Sequence, residues 1–540
     1  MKNIRNIIAF VAMTLLTCSV QARTVEIKMS QIGKPLTDNL MPVTSSLTNN
    51  DQLILNFDKA GKYELDGTIL IRCDVVIKGL GPNSTKVIVK DGFDARGKSK
   101  LTESAFISIK AKGNHKPKVE IRDIGFELES HKGILWEDAE KYLIRLWQCD
   151  GITIDNVVCK TRDAAITNLD LRECSNAVIE NCEFENYNNC DTGGCLWSRG
   201  DQNNITVRNN IFRKYGKDEA LAVWGGQSKT AHTSVTNILV ENNSFLYENT
   251  TKSKKQFPTN VLICFYHFKE YDFVNTCTVD SIVFKNNNIT MNTPYVRNIV
   301  FNYDNLASVG DIEISGNRII NTSKASRSND YSTDLTFFMA ENNSRSITID
   351  NNYIKNSAEI LYNGKKSGYT AFTFKNANLN INNNIIDSDH PVLLLWCQGG
   401  KNVVNLTGNT VSRLSLTANT TGGIQSLTIN ADNNELSGDT RINCNKVDSI
   451  ILNFTKNTFY CEDYHIFLQE GAPVTSVIFD GNTVNALTRN GAMFANYSGK
   501  PYNFTKLQVT NNTYIGVTSK AVDDSFKSVR NKRISGNIYR

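Results

Sequence analysis

One phrase of alternating apolar and polar positions recurs along most of the chain. Three apolar residues sit at alternate positions. A polar residue follows, then Asn or Gly, then Asn, then any residue, then a large apolar one. Clear copies are ITVRNNIF from Ile205, ILVENNSF from Ile238, IEISGNRI from Ile312 and ITIDNNYI from Ile347. VNLTGNTV from Val404, VIFDGNTV from Val477 and LQVTNNTY from Leu507 continue the series, and RISGNIY from Arg533 ends it. VEIRDIGF from Val119 and VIENCEF from Val178 are earlier relatives. A period of two, rich in Ile, Val, Thr and Phe, is the pattern of a pleated strand with one face buried. Asn and Gly tolerate the left-handed backbone of a sharp bend. Each phrase therefore predicts a strand, a tight corner, and the start of a second strand. The apolar i, i+3, i+4 pattern of a helical repeat does not occur.

The spacing of the phrase sets the fold class. Its second Asn falls at Asn384, Asn409, Asn434, Asn457, Asn482, Asn512 and Asn537, in steps of about 25 residues and once about 30. Upstream it falls at Asn210, Asn243, Asn287, Asn317 and Asn352 with wider steps, which predicts loops inserted into single repeats. At roughly 3.3 Å of rise per strand residue, about 25 residues make one coil of three short strands and three bends. Coils that stack give parallel sheets, with right-handed connections. The expectation is an all-β, single right-handed parallel β-helix of three sheets, about 25–30 residues per coil. The corner Asn side chains are expected to turn inward and to hydrogen-bond backbone and one another between coils. They are read as structure, not catalysis.

Composition refines this picture only at the ends. Lys2 and Arg5 precede a short apolar run from Ile7 to Leu16, followed by Val20 and Ala22. This reads as a signal peptide over residues 1–22, with cleavage before Arg23; a lipoprotein anchored through Cys18 is the rival. The expected organisation is then 1–22 signal peptide, 23–50 N-terminal cap segment and 51–540 β-helix domain. Export is expected, to the periplasm, the outer surface or the medium. Losing Lys2 and Arg5 lowers the formal charge from +5 to about +3. That is too weak to argue for nucleic acid, and no later run is apolar enough for a membrane span. Of 13 cysteines, 12 follow the signal segment. Cys149 and Cys174 fall at equivalent places in consecutive repeats, so a buried ladder of free thiols is expected ahead of one or two disulfides. No metal-spaced CxxC pair occurs.

The first repeat, Asp51 to Gly81, contains LILNFDKAGKYEL, DGT and VVIKGLG. It resembles the entry coil of pectate-lyase-like (pectin-lyase-like) β-helix proteins, and the resemblance runs through the coils to Arg540. That superfamily implies polysaccharide lyases, hydrolases and epimerases, and also adhesins and tail spikes. Fold alone does not choose among them.

The densest chemistry lies between Asp163 and Gly226. Two consecutive repeats read NNCDTGGCLWSRGDQNNITVRNN from Asn188 and IFRKYGKDEALAVWGG from Ile211. Each puts carboxylates just ahead of an apolar run: Asp191 before Cys195 to Trp197, and Asp218 with Glu219 before Leu221 to Trp224. Stacked coils would bring these carboxylates together. Hydrolysis of a glycosidic bond needs such a pair, one protonated and one ionised. The arrangement is similar to part of the polygalacturonase-type pattern, with Asn189-Cys190-Asp191 and Asp218-Glu219 in the corresponding places. It departs in the next coil, where VLICFYHFKEYDF from Val261 offers His267 without flanking glycines, and it has no Arg-x-Lys partner. A lyase would use the same patch differently, with Arg199, Arg213 or Lys217 as base and the acidic residues holding Ca2+. Trp197 and Trp224 are either a stacking platform for sugar rings or a structural aromatic ladder. The sequence reading is a secreted protein that cleaves a complex polysaccharide, by hydrolysis or elimination; the alternative is a non-catalytic glycan-binding surface protein. Its partner is a polysaccharide or oligosaccharide, and its oligomeric state stays open.

Overall fold

A computed structural model describes residues 22–540 apart from 91–100, 102, 129–140, 163–165, 189–192, 217–218, 226–231, 249–259, 268–276 and connections between later strands. The chain winds as a right-handed parallel β-helix. The first two faces of each coil belong to one 34-stranded sheet, which folds sharply along the line of the corners. The third face is an eight-stranded sheet followed by a seven-stranded one. Pairing between coils is parallel throughout; Glu359–Tyr362 with Lys365–Ser367 is an antiparallel excursion.

The alternation read from the sequence maps onto one interior column. On the first face Ile154, Ile179, Val207, Val240, Phe284 and Ile314 stand directly over one another in successive coils. The column continues through Ile349, Ile381 and Leu406. All of these are buried. On the second face Phe184, Phe212 and Phe245 stack at 5.3 and 4.8 Å, nearly parallel. A one-residue slip between coils would turn such columns outward, so burial fixes the register.

The corners do what their residue types require. The first residue of each pair takes the left-handed conformation, as at Asn209, Asn242, Asn286, Gly316, Asn433 and Gly536, with φ between 55° and 72°. The second is the buried amide. Asn243 Oδ1 accepts from the backbone N–H of Asn210 at 2.9 Å and from its Nδ2 at 3.1 Å. Asn243 Nδ2 in turn donates to the carbonyl of Val207, one coil back. The same bonds link Asn287, Asn317, Asn352, Asn384, Asn409, Asn434, Asn457, Asn482, Asn512 and Asn537. The ladder begins at Cys182, whose N–H donates to Asn210 Oδ1 at 2.9 Å. VIENCEF is thus the first rung, with cysteine in the amide's place.

At the start, residues 36–46 form helix α1 (Leu36–Ser46), which buries Leu36 and Leu40 beside strands Gly61–Leu65 and Ile69–Ile71. Cys73, Cys149, Cys159, Cys174, Cys182, Cys195 and Cys461 are buried free thiols, and Cys277 is buried too. Burial pushes Cys182, Cys195 and Cys461 up to about 12, so at neutral pH they pack as small apolar groups.

Neighbouring residues at one corner should therefore respond in opposite ways to substitution. Asn434→Ala strands the Asn409 N–H and the Leu406 carbonyl in the interior. It is expected to cost about 2–3 kcal/mol, measured as a lowered urea midpoint. Asn433→Gly, at φ 55°, is expected to stay within about 1 kcal/mol of the parent. Equal effects at both positions would contradict the ladder.

Candidate functional site

The third face differs from the other two over Leu196–Arg199 and Leu221–Gly225, where every position is buried. Its strands include Ala105–Lys110, Lys141–Trp147, Ile166–Arg172, Leu196–Arg199 and Leu221–Gly225. Ile109, Leu146, Leu171 and Val223 point into the coil interior. The alternate positions point outward and form two columns. One holds Ser108, Arg145, Asp170, Trp197 and Ala222; the other holds Lys110, Trp147, Arg172, Arg199 and Trp224. Tyr142, Trp197, Ala222 and Trp224, with Ala105, make a separate buried apolar cluster on this outer side.

An ion pair ties the cluster together. Arg199 Nε and Nη2 donate to the two carboxylate oxygens of Asp170 at 2.7 and 2.9 Å, and Nη2 also donates to Tyr142 Oη at 2.6 Å. Arg199 is 2% exposed and Asp170 0%. Arg145 Nε stands 3.4 Å from the same carboxylate. The Arg199 guanidinium lies 5.4 Å from the Trp197 ring and 5.7 Å from that of Trp224, and the two indoles are 4.8 Å apart. A paired, bidentate Asp170 is what allows an arginine to be held in so dry a place.

Inside the coil, a polar group supports the same region. Lys214 is inward-facing and buried, and its Nζ donates to Asn186 Oδ1 at 2.8 Å. Asn186 Nδ2 is within reach of the carbonyls of Ile166 (2.7 Å) and Gly194 (3.0 Å). Asn168 donates to the carbonyls of Cys159 and Glu185. These bonds fix the backbone just ahead of the third-face strands. Gly194 sits tightly there: a Cβ would fall 2.2 Å from Trp197 Nε1 and 2.8 Å from the Glu219 carbonyl.

The expected site residues fall into five groups. Asp191, Lys217 and Asp218 lie outside the described residues. Glu219 is buried one coil beyond Gly194, and its carbonyl accepts from the Cys195 N–H at 3.2 Å. Trp197, Trp224 and Arg199 come together as described. Neither indole offers an open face, since they are 3% and 5% exposed. Arg199 has its donors committed to Asp170 and Tyr142, an anchoring geometry in place of the open guanidinium a lyase base requires. Arg213 lies round the corner on the second face, paired with Glu183 at 3.3 Å. His267 ends the strand Asn260–His267, in register with Gly225. For the Ca2+ expectation, no group of three His, Cys, Asp or Glu comes together among the described residues. Sequence reasoning missed Asp170, Arg145, Tyr142 and Lys214. Only Lys214 left a signal, two places after the inward Phe212 in IFRKYG.

The sequence matches no protein-family model and no curated protein. Among solved structures it is similar to the catalytic unit of a thermostable GH87 α-1,3-glucanase from Streptomyces thermodiastaticus (12% identity, 96% of this chain, 70% of that chain, TM-score 0.35). It is similar also to a family 28 exopolygalacturonase of Yersinia enterocolitica (9%, 96%, 78%, TM-score 0.34). A third likeness is to a surface adhesin of Streptococcus pneumoniae (11%, 90%, 87%, TM-score 0.21). Among the described residues no helix is long and apolar enough to cross a membrane.

The buried pair makes an asymmetric prediction. Asp170→Ala leaves two guanidinium groups without their shared carboxylate and is expected to cost about 3–5 kcal/mol in urea unfolding. Arg199→Met leaves Asp170 with Arg145 and is expected to cost less than half of that. Losses below about 1 kcal/mol for Asp170→Ala would show that the pair does not hold the face together.

Proposed function

We propose that this chain is an exported carbohydrate-active protein that cleaves a complex polysaccharide on the outer side of its third face, around residues 191–224. The observation that carries this reading is the stacking of two consecutive coils at Gly194 and Glu219. Asp191 and Asp218 lie outside the described residues; along the chain they precede Gly194 and Glu219 by three residues and by one. Coils are spaced by about 4.8 Å, and carboxyl pairs about 5–9.5 Å apart serve glycoside hydrolysis. The rigid floor of Arg199, Asp170 and the two indoles supports the reading, because acid–base groups work only when held in place. Glu219 is the candidate acid, and Asp191 or Asp218 is the candidate base. Elimination by a lyase is the second chemistry this patch would allow, with Lys217 as the base.

The chain from Arg23 should be incubated with pectins, glycosaminoglycans, alginate and plant glucans, with and without calcium. New reducing ends without ultraviolet absorbance of unsaturated uronides are the expected result. Glu219→Gln and Asp218→Asn are each expected to lose about 100-fold or more in turnover while keeping the fold. Absorbance of unsaturated uronides would replace hydrolysis by elimination. Unchanged turnover in both variants would overturn the site, and polymer binding without any cleavage would favour a glycan-binding protein.

A further inference from the structure

The outer column Lys110, Trp147, Arg172, Arg199 and Trp224 crosses five coils, about 19 Å at 4.8 Å per coil. Its two ends differ. Arg199 and Trp224 are buried, whereas the side chains of Arg172 and Lys110 are 30% and 22% exposed. Three cations surround the Trp147 ring: Arg145 at 4.9 Å, Arg172 at 5.0 Å and Lys110 at 5.9 Å. Such packing of like charges is costly unless each has a counter-charge.

Three cations on this face have one. Lys110 pairs with Glu103 at 2.7 Å, while Arg145 and Arg199 share Asp170. For Arg172 the nearest carboxylate among the described residues is Glu173, its own neighbour, at 3.8 Å, and Glu173 already accepts from Gln148 Nε2 at 2.7 Å. Arg172 thus has a guanidinium braced against an indole, open to solvent, and short of a carboxylate in hydrogen-bonding contact. A planar fork held in this way suits bidentate recognition of a carboxylate or a sulfate.

We propose that Arg172, braced on Trp147, is a subsite for an anionic sugar of the polysaccharide, binding its carboxylate or sulfate ester. The choice of a polymer as ligand rests on the reading of this face as a glycan site. The charge requirement is new and concerns residues one to two coils away from the cleavage candidates.

The test is affinity electrophoresis of the chain from Arg23 in gels holding polygalacturonate (carboxylate only), carrageenan (sulfate only) or laminarin (neutral). Retardation by at least one anionic polymer and none by laminarin is expected, weakening as salt is added. The anionic polymer that retards names the group recognised. Arg172→Ala is expected to weaken that retardation about tenfold. Arg318→Ala removes a similar exposed arginine stacked 5.8 Å from Tyr353 on another face and is expected to change nothing. Should Arg172→Ala fail to fold, Arg172→Gln keeps the stem and reads the same loss. The proposal is overturned by no retardation in either anionic gel, by equal retardation in laminarin, or by equal effects of the Arg172 and Arg318 variants. Cleavage of a neutral polymer without anionic retardation overturns this proposal and leaves the proposed function standing. Anionic retardation without cleavage does the reverse.

Discussion

From Asn210 onward, each described turn of the chain depends on the inward amide at the corner between its first and second faces. A coil that bends sharply leaves a backbone N–H and a carbonyl in an interior without water, and each unpaired group would cost about 1–3 kcal/mol. Asparagine answers both at once, since its Oδ1 accepts from the coil before and its Nδ2 donates to a carbonyl there. Because the rung of one coil is completed by the next, no coil is satisfied alone. The ladder is a one-dimensional stack whose stability comes from nearest neighbours. The left-handed residue before each amide is the local condition for it, and Asn or Gly supplies that conformation at small cost.

The candidate site rests on this stack but is not made by it. The ladder lies between the first and second faces, whereas the aromatic and ionic cluster stands on the outside of the third. What connects them is register. Fixed corners set the height of each coil, so Asp170, Trp197 and Ala222 come to lie in one column. The inward group of Lys214, Asn186 and Asn168 then pins the carbonyls ahead of the third-face strands. Loops of varied length can be inserted between such strands without moving the floor beneath them.

The corner phrase made the fold readable because it combines two independent signals, period-two burial and left-handed turn residues, at one place. The inward amides were legible for the same reason. The third face was not. Strands Leu196–Arg199 and Leu221–Gly225 are buried at every position, so their hydropathy has no alternation to read. Asp170 and Arg145 look like surface residues by type; only pairing across coils makes them interior to the outer cluster. Trp197 and Trp224 were recognised as a pair, and their two readings differ in exposure, which one sequence does not reveal. Asp191, Lys217 and Asp218 lie in segments outside the described residues, so their candidacy still rests on the order of residues along the chain.

Hydrogen exchange of the native chain, resolved to single amides, tests the ladder most directly. The N–H of Asn434 donates to Asn457 Oδ1 and should exchange orders of magnitude more slowly than that of an exposed loop amide. The N–H groups of Asn243, Asn317 and Asn482 should be protected alike, each by the Asn of the following coil. Fast exchange at these amides, alongside slow exchange in the strands that flank them, would mean that the coils stack without the amide rungs and would contradict the account.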